Sequence, residues 1–115
     1  MSYVQDLAKL VENRKDATLR ISDAVWGYAE SRFQEFKSAK EESDYMIEMG
    51  FKVTMGIGGE DTAFVAEYGS GKPVIALLGE YDALSGLSQK ADIPCHDPIE
   101  AGKDGHGCGM DMDPA

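Results

Sequence analysis

Apolar positions along the chain change period in the middle, and the change separates a helical half from a strand-forming one. Val4, Leu7, Leu10 and Val11 recur at helical spacing behind Ser2, which predicts a short amphipathic helix with Ser2 as its N-cap. Ile21, Val25, Ala29, Phe33 and Phe36 follow at steps of four, four, four and three. They predict a second helix with an aromatic-rich buried face, bordered by Trp26 and Tyr28. A third helix is predicted from Ser38, in capping-box spacing with Glu41, to a stop at Gly50, with Tyr45, Met46 and Met49 on its buried side. The period then shortens to two. Phe51, Val53 and Met55 predict a half-buried strand, "GIGGEDT" a turn, and "AFVAEYG" a second strand with Phe64, Ala66 and Tyr68 on one face. "GSGKP" turns the chain into the apolar run 74–78, "VIALL", which predicts a third strand covered on both faces. Short glycine loops between the strands favour an antiparallel meander. From Ser85 onward the periodicity is lost. The reading is three helices (about 2–50), three strands (about 51–80) and a loop bearing reactive side chains (81–115), an α/β or α+β arrangement.

Composition sharpens this picture without changing it. The chain has 115 residues, 43% hydrophobic and 28% charged, which suits one globular domain with a modest core. Its formal charge is −10, from 11 basic and 21 acidic side chains, with no basic stripe, so nucleic acid is an unexpected partner. No apolar run is long enough to span a membrane, and the N-terminal stretch "MSYVQDLAKL" has no signal-peptide pattern. A cytoplasmic location is the expectation. Cys95 and Cys108 then read as free thiols or metal ligands rather than a disulfide framework.

Four stretches could carry chemistry. "YGSGKP" lacks the spacing of a phosphate-binding loop, because Ala66 and Pro73 stand where Gly and Ser/Thr are required, and it reads as a turn. "GEYD" sets Glu80 and Asp82 on one side of a strand end, where paired carboxylates can bind a cation or orient a ligand; solvated acids at a strand terminus are the plainer reading. "IPCHDP" holds Cys95, His96 and Asp97, but neighbours on a loop seldom converge on one ion. "GHGCGMD" is the stronger signal. His106 and Cys108 flank one glycine, and thiolate and imidazole both suit zinc and similar metals, although one pair is not a complete site.

Three stretches, "AVWGYAESRFQEFKSAKEESDYMIEMGFKV", "TAFVAEYGSGKPVIALLGEYDALSGLSQ" and "GHGCG", resemble in that order the start of a metal-dependent amidohydrolase and peptidase family. This is the aminoacylase, carboxypeptidase and hippurate hydrolase superfamily, and the nearest branch is that of the p-aminobenzoyl-glutamate hydrolases. The resemblance implies the N-terminal portion of a zinc-peptidase-like α/β/α sandwich, a partial catalytic domain without the dimerisation domain. It implies hydrolysis of the amide bond of N-acyl or aminobenzoyl amino acids or dipeptides by water activated on divalent metal (Zn, Mn, Co or Ni). Asp82 falls on the acid that supports a metal ligand, and Cys108 on a cysteine that ligates metal. Met110 stands where the family places a histidine ligand, and its neutral thioether is a poor substitute for imidazole. The family's general base and other ligands lie further downstream than 115 residues reach. The chain alone is therefore expected to be inactive and not to hold metal stably. The alternative is a non-catalytic interaction module that self-associates or needs a complementing chain, through the exposed faces of 74–78.

Overall fold

The computed structural model describes residues 2–108. Two helices, α1 (Tyr3–Tyr28) and α2 (Phe36–Glu48), precede two strands, β1 (Lys52–Met55) and β2 (Phe64–Glu67). The first two predicted helices are thus one. Nothing in "ENRKDATLR" between Val11 and Ile21 breaks a helix, since it holds neither Gly nor Pro, so the two apolar stripes join on a continuous rod. Ser2 caps it as predicted, its Oγ accepting the Gln5 N–H at 3.4 Å.

The end of α1 departs from the predicted stripe. Ala29 turns left-handed (φ 44°, ψ 47°) while its N–H donates to the Val25 carbonyl. Phe33 also has positive φ and is exposed, and Phe36 opens α2 with more than half its surface in water. The backbone breaks here to bring Glu30 over the start of α2. Its carboxylate accepts the N–H groups of Lys37 and Ser38 and the Ser38 hydroxyl, at 2.9–3.1 Å. Those amides are orphan donors at the positive end of the helix dipole, and an anion suits them. Ser38 is therefore a buried interior residue of α2 rather than its N-cap. The far end agrees with expectation: α2 stops at Glu48, and Gly50 has φ 91°. Tyr45, Met46 and Met49 are only half-buried, and the buried side consists of Ser38, Ala39 and Ser43.

β1 and β2 form an antiparallel hairpin in which Val53 opposes Ala66 and Met55 opposes Phe64. Phe64 and Ala66 face inward and Val65 and Glu67 outward, the alternation read from the sequence. Tyr68 lies just beyond β2 and is mostly exposed, its ring 5.1 Å from that of Phe51. The predicted third strand is absent among the described residues. Val74, Ile75, Leu77 and Leu78 are 81–85% exposed, and 74–78 carries no secondary structure. The run is apolar on both faces, so as a strand it needs a layer on each side. Two helices and one hairpin do not supply them. The architecture is a small α/β unit of two helices and a two-stranded hairpin, not three helices and a three-stranded meander.

Among the described residues, the buried apolar ones are Ile21, Val25, Ala39 and Ala83. They are outnumbered by buried polar ones, Glu35, Ser38, Ser43, Thr62, Ser88 and His106. Hydrogen bonds thus organise much of the interior. No described helix is long and apolar enough to cross a membrane.

Candidate functional site

The residues after the hairpin form no regular element, yet backbone pairing ties the two candidate motifs together. Ala83, buried, donates its N–H to the Glu30 carbonyl at 2.7 Å and bridges Ser31 in parallel. Leu84, next along, bridges Gly105 in antiparallel fashion, each N–H donating to the other's carbonyl at 2.9 and 3.0 Å. Ser88 N–H reaches the Lys103 carbonyl at 3.0 Å. Successive residues of one ribbon therefore pair to opposite sides, as in a strand, and three ribbons lie abreast at 30–31, 83–84 and 105. Asp82 sits just before the central bridge and Cys108 just after it on the neighbouring ribbon. "GEYDAL" and "GHGC", far apart in sequence, are thus carried on adjoining backbone.

The glycines of "GHG" have a physical reason in this pairing. A Cβ on Gly105 would stand 2.1 Å from the Leu87 carbonyl oxygen and 2.8 Å from the Ser88 nitrogen, both backbone atoms that cannot swing away. His106 points inward. It is buried, its Nε2–H donates to the Val25 carbonyl at 3.1 Å, and its ring centroid lies 6.2 Å from that of Trp26. This pins the ribbon to the end of α1. The same region borders a cleft of about 430 Å³ lined by Trp26, Tyr28, Gln34, Gln89, Lys103 and His106, among others.

Asp82 is half-buried and, with Glu80, lines a smaller cleft of about 200 Å³. Glu35, Thr62 and Tyr81 line it as well. Tyr81 holds this ribbon on the hairpin. Its hydroxyl donates to the Thr62 carbonyl, and its ring stacks on Phe64 at 6.3 Å. Burial, helped by the negative charges of Glu42, Glu35 and Glu30, pushes its phenol up to about 12. Burial likewise pushes the Glu42 carboxyl up to about 7. Glu35, itself buried, accepts the Thr62 hydroxyl at 2.8 Å and the Phe33 N–H at 2.9 Å. None of Glu30, Glu35 and Glu42 was marked by motif spacing, because each acts on a partner distant along the chain or through burial.

"IPCHDP" serves its own loop. Asp97 is bound through both oxygens by Lys90 at 2.9 Å, and Gln89 holds the Cys95 carbonyl and the Asp97 N–H. Cys95 and Cys108 are free and exposed. Met110 lies outside the described residues. Among the described residues, no group of three or more His, Cys, Asp or Glu side chains is placed to hold a metal ion. With Cys108 exposed and His106 committed to Val25, these residues do not by themselves make a complete donor set.

Comparison with known proteins supplies the decisive observation. The chain is 41% identical over 113 residues to one of the subunits of p-aminobenzoyl-glutamate hydrolase from Escherichia coli (strain K12). The match takes in 95% of the chain but 24% of the length of the hydrolase polypeptide. No family model matches the chain, and no solved structure does. The resemblance read from "GEYDAL" and "GHGCG" therefore lies inside a match that runs through nearly the whole sequence.

Proposed function

We propose that this chain carries part of the scaffold of a p-aminobenzoyl-glutamate hydrolase type of enzyme, a partial catalytic domain that does not complete the reaction alone. The 41% identity across 113 residues carries this reading. The pairing of Leu84 with Gly105 supports it, because it brings the ribbons of Asp82 and Cys108 alongside each other. In this reading Cys108 offers a thiolate to a divalent metal and Asp82 steadies a neighbouring ligand. Metal-assisted amide hydrolysis also needs an open coordination position, a bound water and a base to take its proton. The described residues do not supply that set. The chain's contribution is positional: it presents one thiol and one carboxylate on a hydrogen-bonded platform.

The test is direct. The purified chain, given zinc, manganese or cobalt, is expected to release no p-aminobenzoate from p-aminobenzoyl-glutamate. Metal-dependent turnover by the chain alone, lost on Cys108→Ser, would overturn the reading.

A second reading is an interaction module that needs another polypeptide to complete a site. The exposure of 74–78 favours it, since that run presents apolar side chains on both faces. The hydrolase relative is itself named as one subunit of its enzyme. Activity that appears only when a polypeptide carrying the rest of such a hydrolase is added would join the two readings. Failure of that mixture to associate would leave the module reading without support.

A further inference from the structure

Among the described residues Glu35 is the carboxyl side chain most removed from water, 6% exposed, and it forms no ion pair there. A carboxyl buried without a cation is costly, so its worth to the fold lies in what its two oxygens hold. Oε1 accepts the Phe33 N–H at 2.9 Å, and Oε2 accepts the Thr62 hydroxyl at 2.8 Å. Phe33 is left-handed, with φ 66°, a conformation a bulky residue keeps only where its surroundings impose it. Thr62 in turn accepts the Tyr81 hydroxyl at its carbonyl. One oxygen of Glu35 thus fixes the turn between α1 and α2, and the other fixes the residue that receives Tyr81. Asp82 stands between Tyr81 and Ala83, and the Ala83 N–H donates to the Glu30 carbonyl at 2.7 Å. Both neighbours of Asp82 are therefore anchored, and both anchors lead back to the turn that Glu35 holds. Phe33, Glu35 and Asp82 border the same small cleft.

We infer that Glu35 is a positioning residue for Asp82. It acts through Thr62 and Tyr81 on one side of Asp82. On the other it acts through the Phe33 turn, which presents the Glu30 carbonyl to Ala83. The use of the Asp82 carboxyl beside a metal rests on the hydrolase reading; the clamp on its ribbon does not.

NMR of the whole chain tests it, through exchange of the Ala83 amide and the carboxyl-carbon resonance of Asp82. Amides in the middle of α1 are the reference. Glu35→Leu should speed exchange at Ala83 at least tenfold relative to that reference and shift the Asp82 signal. Glu35→Gln should stay within about twofold, because its carbonyl still accepts from Phe33 and its NH2 donates to the Thr62 hydroxyl oxygen. The ring ζ-carbon of Tyr81, assigned by its loss in Tyr81→Phe, should follow the same division between the two variants. Thr62→Val keeps the shape and cuts one arm, so it should speed Ala83 about threefold, and it carries the test if Glu35→Leu does not fold. Its effect and that of Tyr81→Phe should combine to less than their product, as for members of one linkage. Unchanged Ala83 exchange and Asp82 signal in the folded variants overturn the inference. So does acceleration spread evenly over α1, which would make Glu35 a general stabiliser. Equal losses in Glu35→Gln and Glu35→Leu also overturn it, since charge rather than the two contacts would then be in control. None of these measurements needs metal or turnover, so their failure leaves the hydrolase reading standing, and amide hydrolysis by the chain alone leaves the clamp standing.

Discussion

Gly105 shows how much of the candidate site depends on backbone approaching backbone. Its mutual pairing with Leu84 is possible because nothing projects toward Leu87, whose carbonyl oxygen lies 2.1 Å from where a Cβ would be. Gly105→Ala therefore has to push the ribbon off its neighbour, at a cost of about 2–3 kcal/mol, in the range of an overpacked interior. The expected outcome is local. Amide hydrogen exchange at Leu84 and at position 105 should accelerate strongly, while far-UV circular dichroism still reports α1 and α2. Unchanged protection at Leu84 would mean that the bridge does not hold the two motifs together. Cys108→Ser offers the contrast, since its side chain is exposed and should leave that protection intact.

At the scale of elements, the carboxylate of Glu30 does what a local cap does in most helices, from outside α2. Glu35, the residue at the N-cap position, makes no capping bond and turns to Thr62 and Phe33 instead. Glu30→Gln keeps the shape but removes the charge that faces two helix amides and the dipole. It should cost about 1–2 kcal/mol, read as a lower denaturation midpoint. A loss no larger than that of a surface control such as Glu12→Gln would contradict this role. The same residue explains why the helices were only partly legible in the sequence. Periodicity found Ile21, Val25 and the stop at Gly50, because those follow from local spacing. It extended α1 through Phe33 and Phe36, because the break at Ala29 is set by the demands of α2 and Ala83, which no local window contains. Likewise "GHGC" was legible as chemistry, but its pairing with Leu84 was not, since the partner is twenty-one residues away and the bridge uses only backbone. The run 74–78 was read correctly as apolar on both faces and wrongly as covered. Pattern states what a segment requires, not whether the layers that satisfy it are present.

Taken whole, the molecule is loose for its length. Its radius of gyration is 16.0 Å, against about 13–14 Å for a compact domain of this size, and its few buried apolar residues are small or medium in volume. With so little hydrophobic driving force, charge weighs heavily in the balance, and the formal charge is −10. Glu42 adds a directional term. Its carboxyl titrates near 7 in the fold and near the ordinary value of about 4.5 when unfolded. Between those values the native state binds the extra proton, so stability falls as pH rises. The stabilising contribution is fully present below about pH 4.5 and is lost as pH passes through 7. Repulsion among the remaining carboxylates acts in the same direction. The thermal midpoint should therefore rise as pH is lowered from about 8 to about 5.5, and Glu42→Gln should flatten that slope. At about pH 8 the substitution should stabilise the chain by about 1–2 kcal/mol, a figure reduced from the full shift because the side chain keeps some contact with water. Near pH 5 the gain should shrink to a small fraction of that, because Glu42 is neutral in the fold there and only the unfolded chain ionises it. Tyr81 extends the trend to alkaline pH: its phenol is held up to about 12, so a further loss of stability begins above about pH 10. A midpoint that is flat or falls on acidification from about 8 to 5.5 would mean that neither the burial of Glu42 nor the net charge limits the stability of this fold.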